Sequence, residues 1–205
     1  MMLNKLKHRW MKKRLKDQNY SFLFDIAPEN EVVVFDTETT GLDIKNDEII
    51  SIGAVKVKEN RILISSAMHL KVKCKRTISQ ESIKIHQIRI CDIENGIEPD
   101  EAIKHFLHFI GPRPLVGYYL EFDVAMINKL LKKTLGITLP NQLIEVSALY
   151  YDKKVGTIPH EHVDLRFDTM LKVLDIPKLN KHDALNDAIM TAMMYIKLKN
   201  IKKLN

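Results

Sequence analysis

Residues 32–35 read Val-Val-Val-Phe, and this run constrains the fold more than any other stretch of the chain. β-Branched and aromatic side chains favour a strand, and an unbroken apolar run fits a strand buried on both faces. Residues 49–57 and 62–72 also read as strands, with Lys58-Glu59-Asn60-Arg61 as the turn between them. Beyond them, helical stretches at 79–88 and 101–110 precede Gly111-Pro112-Arg113-Pro114, which breaks the chain before a strand at 115–118. A helix at 121–133, a fifth strand at 143–147 and helices at 165–174 and 184–199 complete the order. A three-strand meander followed by alternating strands and helices predicts an α/β fold with a mixed five-stranded sheet covered by helices.

The charge is distributed unevenly. Lys5, Lys7, Arg9, Lys12, Lys13, Arg14 and Lys16 face only Asp17 within residues 1–17, so this head carries the whole formal excess of +6 and residues 18–205 are neutral. Leu3, Leu6 and Trp10 recur at helical spacing with Met11 and Leu15 alongside, which predicts a basic amphipathic helix. We place this head in an extension over 1–25 and the folded domain over 26–205. At 45% hydrophobic and 28% charged, the composition is globular and not disordered. No apolar run approaches the roughly 20 residues of a membrane span, and no apolar segment marks a secretory signal. Two cysteines without metal-type spacing, Cys74 and Cys91, read as reduced thiols in a cytoplasmic protein.

Three places offer chemistry. Asp36 and Glu38 follow the apolar run and, two residues apart on a strand, face one side. They read equally as the start of a polar loop or as paired carboxylates awaiting a divalent cation. Asp123 falls in the first turn of a helix, where the dipole alone favours an acid. Asp187 is harder to explain by the helix alone, because residues 184–196 are apolar over most of the helix circumference and no basic residue stands three or four positions away. His182 enters five residues ahead of it. Four carboxylates form an oxygen site suited to Mg²⁺ or Mn²⁺, and a histidine beside them accepts a proton from water. Two such ions about 3.5–4 Å apart suit phosphodiester cleavage.

These residues also form sequence motifs. Residues 33–42, VVFDTETTGL, closely resemble the first motif of the DEDDh (DnaQ-like) 3′–5′ exonucleases, the family of the bacterial DNA polymerase III epsilon subunit, ribonuclease T and oligoribonuclease. Residues 116–123, VGYYLEFD, resemble the second motif, and residues 182–188, HDALNDA, the third. The resemblance implies a ribonuclease-H-like fold and a two-metal 3′–5′ exonuclease that releases nucleoside 5′-monophosphates. Asp36, Glu38, Asp123 and Asp187 would bind the ions, and His182 would be the general base. It further implies substrate contacts at Thr37 and Leu42, and at His86 within Ile85-His86-Gln87-Ile88, where Gln87 replaces the usual glycine. Tyr118 and Tyr119 replace the usual His-Asn of the second motif. Tyr119 is carried forward as a substrate contact by stacking, with plain packing of the two tyrosines as the alternative.

The partners so implied are 3′ ends of single-stranded DNA, with RNA as the second choice, and replication or repair proteins, without a membrane. A non-catalytic nucleic-acid-binding or polymerase-associated subunit is the alternative function. Only 18 residues follow Asp187, fewer than the tail usual in polymerase-bound epsilon subunits, which points to a free-standing enzyme. Pro159-His160-Glu161-His162 is a weak zinc motif that lacks a third ligand. His105 and His108 read as helix-surface residues, and the cluster Lys71, Lys73, Lys75 and Arg76 either touches phosphates or guards a strand edge.

Overall fold

In the computed structural model, which describes residues 2–155, 163–180 and 182–204 with side chains from His8 onward, the apolar run lies in strand β1 (Glu31–Thr39) at the middle of the sheet. β1 pairs antiparallel with β2 (Ile49–Lys58) and parallel with β5 (Leu115–Gly117), which in turn pairs parallel with β6 (Leu143–Glu145). Two short strands, β3 (Arg61–Ile62) and β4 (Met68–Lys71), share the other edge of β2. The order is β3-β2-β1-β5-β6, with β4 also on β2, a mixed sheet of six strands among the described residues where the sequence predicts five.

The extra strand arises within residues 62–72, read from sequence as one strand. A 3₁₀ turn, Ile64–Ser66, interrupts them. The Ser66 hydroxyl and amide both donate to the Leu63 carbonyl, and the Ala67 amide donates to Ile64. Local bonds of this kind compete with a ladder, so the segment leaves β2 and rejoins it further along. β1 also runs past the expected apolar end to Thr39, because its pairing with β2 continues through Glu38↔Ser51 before a bulge.

Among the described residues, eight helices accompany the sheet: α1 (Met2–Arg14), α2 (Gln80–His86), α3 (Ile90–Ile93), α4 (Pro99–Ile110), α5 (Leu120–Thr134), α6 (Val146–Val155), α7 (Phe167–Val173) and α8 (Ala184–Asn200). The alternation of β1 separates two cores. Val33 and Phe35 pack with Phe106, Leu107 and Ile127 of α4 and α5. Val32 and Val34 pack with Tyr150, Met170, Met190 and Met194 of α6, α7 and α8. Each fully buried large side chain contributes roughly 1.5–3 kcal/mol relative to exposure. Helix α6 is absent from the sequence reading, which extends the fifth strand over its first residues.

The head packs on the first of these cores. Met11 and Leu15 are buried there, while Trp10 is 57% exposed beneath the Arg14 guanidinium. His105 and His108 are exposed on α4, as expected, although His108 stacks on Phe22. Lys73 pairs with Glu98, and the Glu48 carboxylate accepts from the Lys75 and Arg76 amides. The Pro159–His162 motif lies outside the described residues.

Candidate active site

Asp36 and Glu38 extend the Val32/Val34 face of β1, so they point toward α8. The approach of α8 depends on one glycine. Gly53 of β2 stands directly across the ladder from Asp36. A Cβ there would lie 2.2 Å from the backbone of Ala184 and Leu185, so no side chain fits between β2 and the start of α8. Asp183 caps that start by accepting from the Asn186 amide at 3.0 Å. Asp187 then comes down beside the strand acids. One oxygen from each of Asp36, Glu38 and Asp187 lies within 4.8 Å of the others.

Asp123 joins from α5. Its Oδ1 accepts from both the amide (2.9 Å) and the hydroxyl of Thr37, the residue between the two strand acids. Glu145, at the end of β6, accepts from the amides of Tyr119 (3.2 Å) and Leu120 (2.8 Å) that open α5. The same carboxylate accepts from the Ser147 amide and hydroxyl at the start of α6. One acid thereby fixes two helix starts, and through α5 it sets the position of Asp123.

The electrostatics of this arrangement are unfavourable without a cation. Burial, reinforced by the neighbouring carboxylates, raises the proton affinity of Asp36 well above the usual range and that of Glu38 to about 8. Burial raises Asp123 to about 7 against the opposing hydrogen bonds from Thr37. Among the described residues, no ion pair neutralises these three acids. An all-oxygen donor set suits a hard divalent cation. Asp36, Glu38 and Asp187 form the nearest set of ligands, with Asp123 beside them.

The acids line a cleft of about 230 Å³ whose wall also holds His182, Leu42, Tyr119 and Phe122. The exposed His182 sits in a left-handed backbone conformation (φ 61°) and its amide donates to Asp187 Oδ2 at 3.1 Å. Thus all five of the expected catalytic positions meet in one cleft. Of the expected substrate contacts, Leu42 (83% exposed) and Tyr119 (76% exposed) stand at its mouth, whereas Thr37 is buried and holds Asp123. The two tyrosines differ. Tyr118 packs on Phe167 and donates its hydroxyl to the Leu165 carbonyl, while Tyr119 projects into solvent from a left-handed residue (φ 57°).

His86 lies outside the acid cleft, in an adjoining polar cavity of about 610 Å³ that His182 also lines. Burial lowers its proton affinity, and its Nδ1 accepts from the Ile88 amide at 3.0 Å. Gln87 adopts φ 59°, ψ 11° at the end of α2, a left-handed conformation that a glycine takes without strain. Sequence reading missed Gly53 and Glu145. A glycine inside a strand signals close backbone approach, and this signal was available at Gly53. Nothing near Glu145 in the sequence indicates that it holds the starts of both α5 and α6.

The Exonuclease family model (RNase_T) matches residues 33–195. The chain belongs to the exonuclease family. Over 174 residues this exonuclease is 34% identical to the PolC-type DNA polymerase III of Caldanaerobacter subterraneus subsp. tengcongensis, covering 83% of this chain but 12% of that polymerase. It is 26% identical over 166 residues to the DNA polymerase III subunit epsilon of Aquifex aeolicus, covering 81% of this chain and 79% of that subunit. The structure of E. coli exonuclease I in complex with a dA16 oligonucleotide superposes with a TM-score of 0.70 at 16% identity, over 85% of this chain and 42% of that one. The DnaQ-like, DEDDh reading of the sequence and its mixed α/β fold are borne out. Exonucleases of this family depend on divalent metal, and an acidic cluster is present in this chain. The family match starts at Val33, so the basic head lies outside it. No helix among the described residues is long and apolar enough to cross a membrane.

Proposed function

We propose that this exonuclease trims single-stranded DNA from the 3′ end, with RNA as a second substrate, releasing nucleoside 5′-monophosphates. The observation that carries the reading is the junction of Asp36, Glu38 and Asp187 within 4.8 Å, beside an exposed histidine. Asp36, Glu38, Asp123 and Asp187 would hold two ions, Mg²⁺ or Mn²⁺, which would supply charge stabilisation for the phosphodiester and acidify water.

The chain's own groups do the rest. His182 acts as general base, taking the proton of the attacking water as its oxygen bonds to phosphorus. The bond from phosphorus to the 3′ oxygen of the penultimate nucleotide breaks, and that oxygen leaves with a proton from solvent. The hydrogen bond from the His182 amide to Asp187 couples the position of the base to that of the acids. Thr37 fixes Asp123, and Leu42 and Tyr119 flank the terminal nucleotide at the cleft mouth. Stacking of a base on an aromatic ring contributes about 1–3 kcal/mol.

DNA is favoured because the relatives include DNA polymerase III subunits and the structural neighbour was solved with an oligodeoxynucleotide. Such an enzyme would work in the cytoplasm beside replication or repair proteins. The test is cleavage of matched 3′-labelled DNA and RNA oligonucleotides at fixed salt, with Mg²⁺, with Mn²⁺ and with EDTA. The expected result is metal-dependent release of mononucleotides, faster on DNA. Absence of shortening with either ion would overturn the reading.

A further inference from the structure

The basic head remains outside both the family match and the cleft. Its position shows what it is suited to bind. Met11 of α1 and Leu15 just beyond it are buried against the body, and Thr138 donates to the Met11 sulfur. His8 Nε2 donates to the Pro140 carbonyl at 2.8 Å, and the Lys16 amide donates to the Leu135 carbonyl at 3.1 Å. These contacts seat α1 on the turn that follows α5. The Lys16 ammonium reaches the Lys133 carbonyl, and Lys132 and Lys133 of the last turn of α5 are exposed beside it.

Arg9, Lys12, Lys13, Arg14, Lys16, Lys132 and Lys133 therefore form one exposed cationic surface. None of the seven belongs to an ion pair among the described residues. Two helix C-termini account for the cations of the last turns, though not for Arg9, which stands ahead of the last turn of α1. Trp10 lies exposed within the patch under Arg14, the pairing of aromatic and cation that suits nucleic acid. A membrane-surface helix would need Met11 outward, whereas Met11 is buried against the body.

We propose that the solvent side of α1 and the C-terminal end of α5 form a second binding surface for the phosphate backbone of nucleic acid. Helix α5 links it to the cleft. Asp123 stands in its first turn and Lys133 in its last, about 15 Å apart along the axis. At 3.4 Å per nucleotide of a helically stacked strand, that is about four or five phosphates. The surface holds the body of a strand whose 3′ end lies among the acids, offsetting the repulsion those acids exert on a polyanion. That this strand is the one being trimmed rests on the exonuclease reading. The surface itself does not.

The test uses the triple variant Lys12→Glu/Lys13→Glu/Lys132→Glu and, as a milder companion, the same three positions changed to Gln. Binding of a fluorescent 20-nucleotide single strand is measured by anisotropy in EDTA, where no cleavage occurs, from 50 to 200 mM salt. The charge-reversed variant should bind about tenfold more weakly at low salt, and its log–log salt slope should be shallower by about two, at roughly 0.7 per lost phosphate contact. With metal, KM for the 20-mer should rise while turnover of a 4-mer, too short to reach the surface, stays unchanged. Equal affinity and slope for folded wild type and variants would overturn the proposal. So would wild-type binding to phosphatidylserine vesicles without binding to the oligonucleotide. A protein that binds as expected in EDTA but cleaves nothing with metal would leave this surface standing and remove the exonuclease reading.

Discussion

The two faces of β1 share a backbone and part company at residue 36. On one face Val33 and Phe35 are buried among apolar residues of α4 and α5. On the other, Val32 and Val34 give way to Asp36 and Glu38, which meet Asp187 and the charge of Asp123. The first face lowers the free energy of the folded chain. The second raises it, since Asp36, Glu38 and Asp123 are largely removed from water and repel one another, and so it spends stability on a site for cations. The same strand thus separates the residues that hold the fold from those that carry the chemistry.

The sharpest way to break this comparison is to neutralise the costly face. Asp36→Asn should cut single-turnover cleavage by about 10³-fold or more, roughly 4 kcal/mol of barrier, yet raise the melting temperature of the metal-free protein. A fall in both would mean that Asp36 supports the fold as Phe35 does. The opposite face predicts the reverse. Phe106, whose ring centroid lies 5.0 Å from that of Phe35, is fully buried. Phe106→Ala should destabilise by about 3–5 kcal/mol in urea unfolding while leaving the thermal shift caused by added Mn²⁺ intact.

The sequence displayed these two faces unequally. The burial of 32–35 on both sides was readable because four apolar residues in a row leave no solvent face. The all-round apolarity of α8 made Asp187 conspicuous for a similar reason. The extension of β1 through Thr39 was not readable, because Asp-Thr-Glu-Thr has the polarity of a loop and only the ladder to β2 holds it extended. In the head, helical spacing offered Trp10 and Met11 together. The choice between them depends on where Leu135 and Ile137 lie, which no local pattern contains. Glu145 is the extreme case, an ordinary strand-end acid until the chain brings Tyr119, Leu120 and Ser147 to it.

Gly53 tests whether the costly face is held in place by the sheet itself. Gly53→Ala puts a methyl group into the backbone of Ala184 and Leu185, so the start of α8 must move away from β2. Misplacement by about 1 Å suffices for a 10²-fold loss of rate. We expect a loss of that size in turnover together with weaker Mn²⁺ binding by calorimetry. Ala54 points to the other face, where its side chain packs with Phe35, so Ala54→Gly should lower stability and leave Mn²⁺ affinity unchanged. Equal effects of the two changes on metal affinity would mean that the faces are not independent.

The smallest effect is the most direct reading of the cost. Glu38 and Asp123 hold their protons to about 8 and about 7 in the folded protein, above the usual carboxylate range they regain on unfolding. The folded state therefore binds more protons between about pH 4.5 and 8, and their contribution to stability is full below that window and lost as pH rises through it. Other groups titrate over the same range, so the informative quantity is the difference between wild type and Glu38→Gln. Without metal, the melting temperature of wild type relative to this variant should fall by about 5–10 °C from pH 5 to pH 8.5. Saturating Mg²⁺ or Mn²⁺ should abolish most of that slope, because ions compete with protons for the same oxygens. A slope that metal leaves untouched would place the raised affinities in the fold and not in a site for cations.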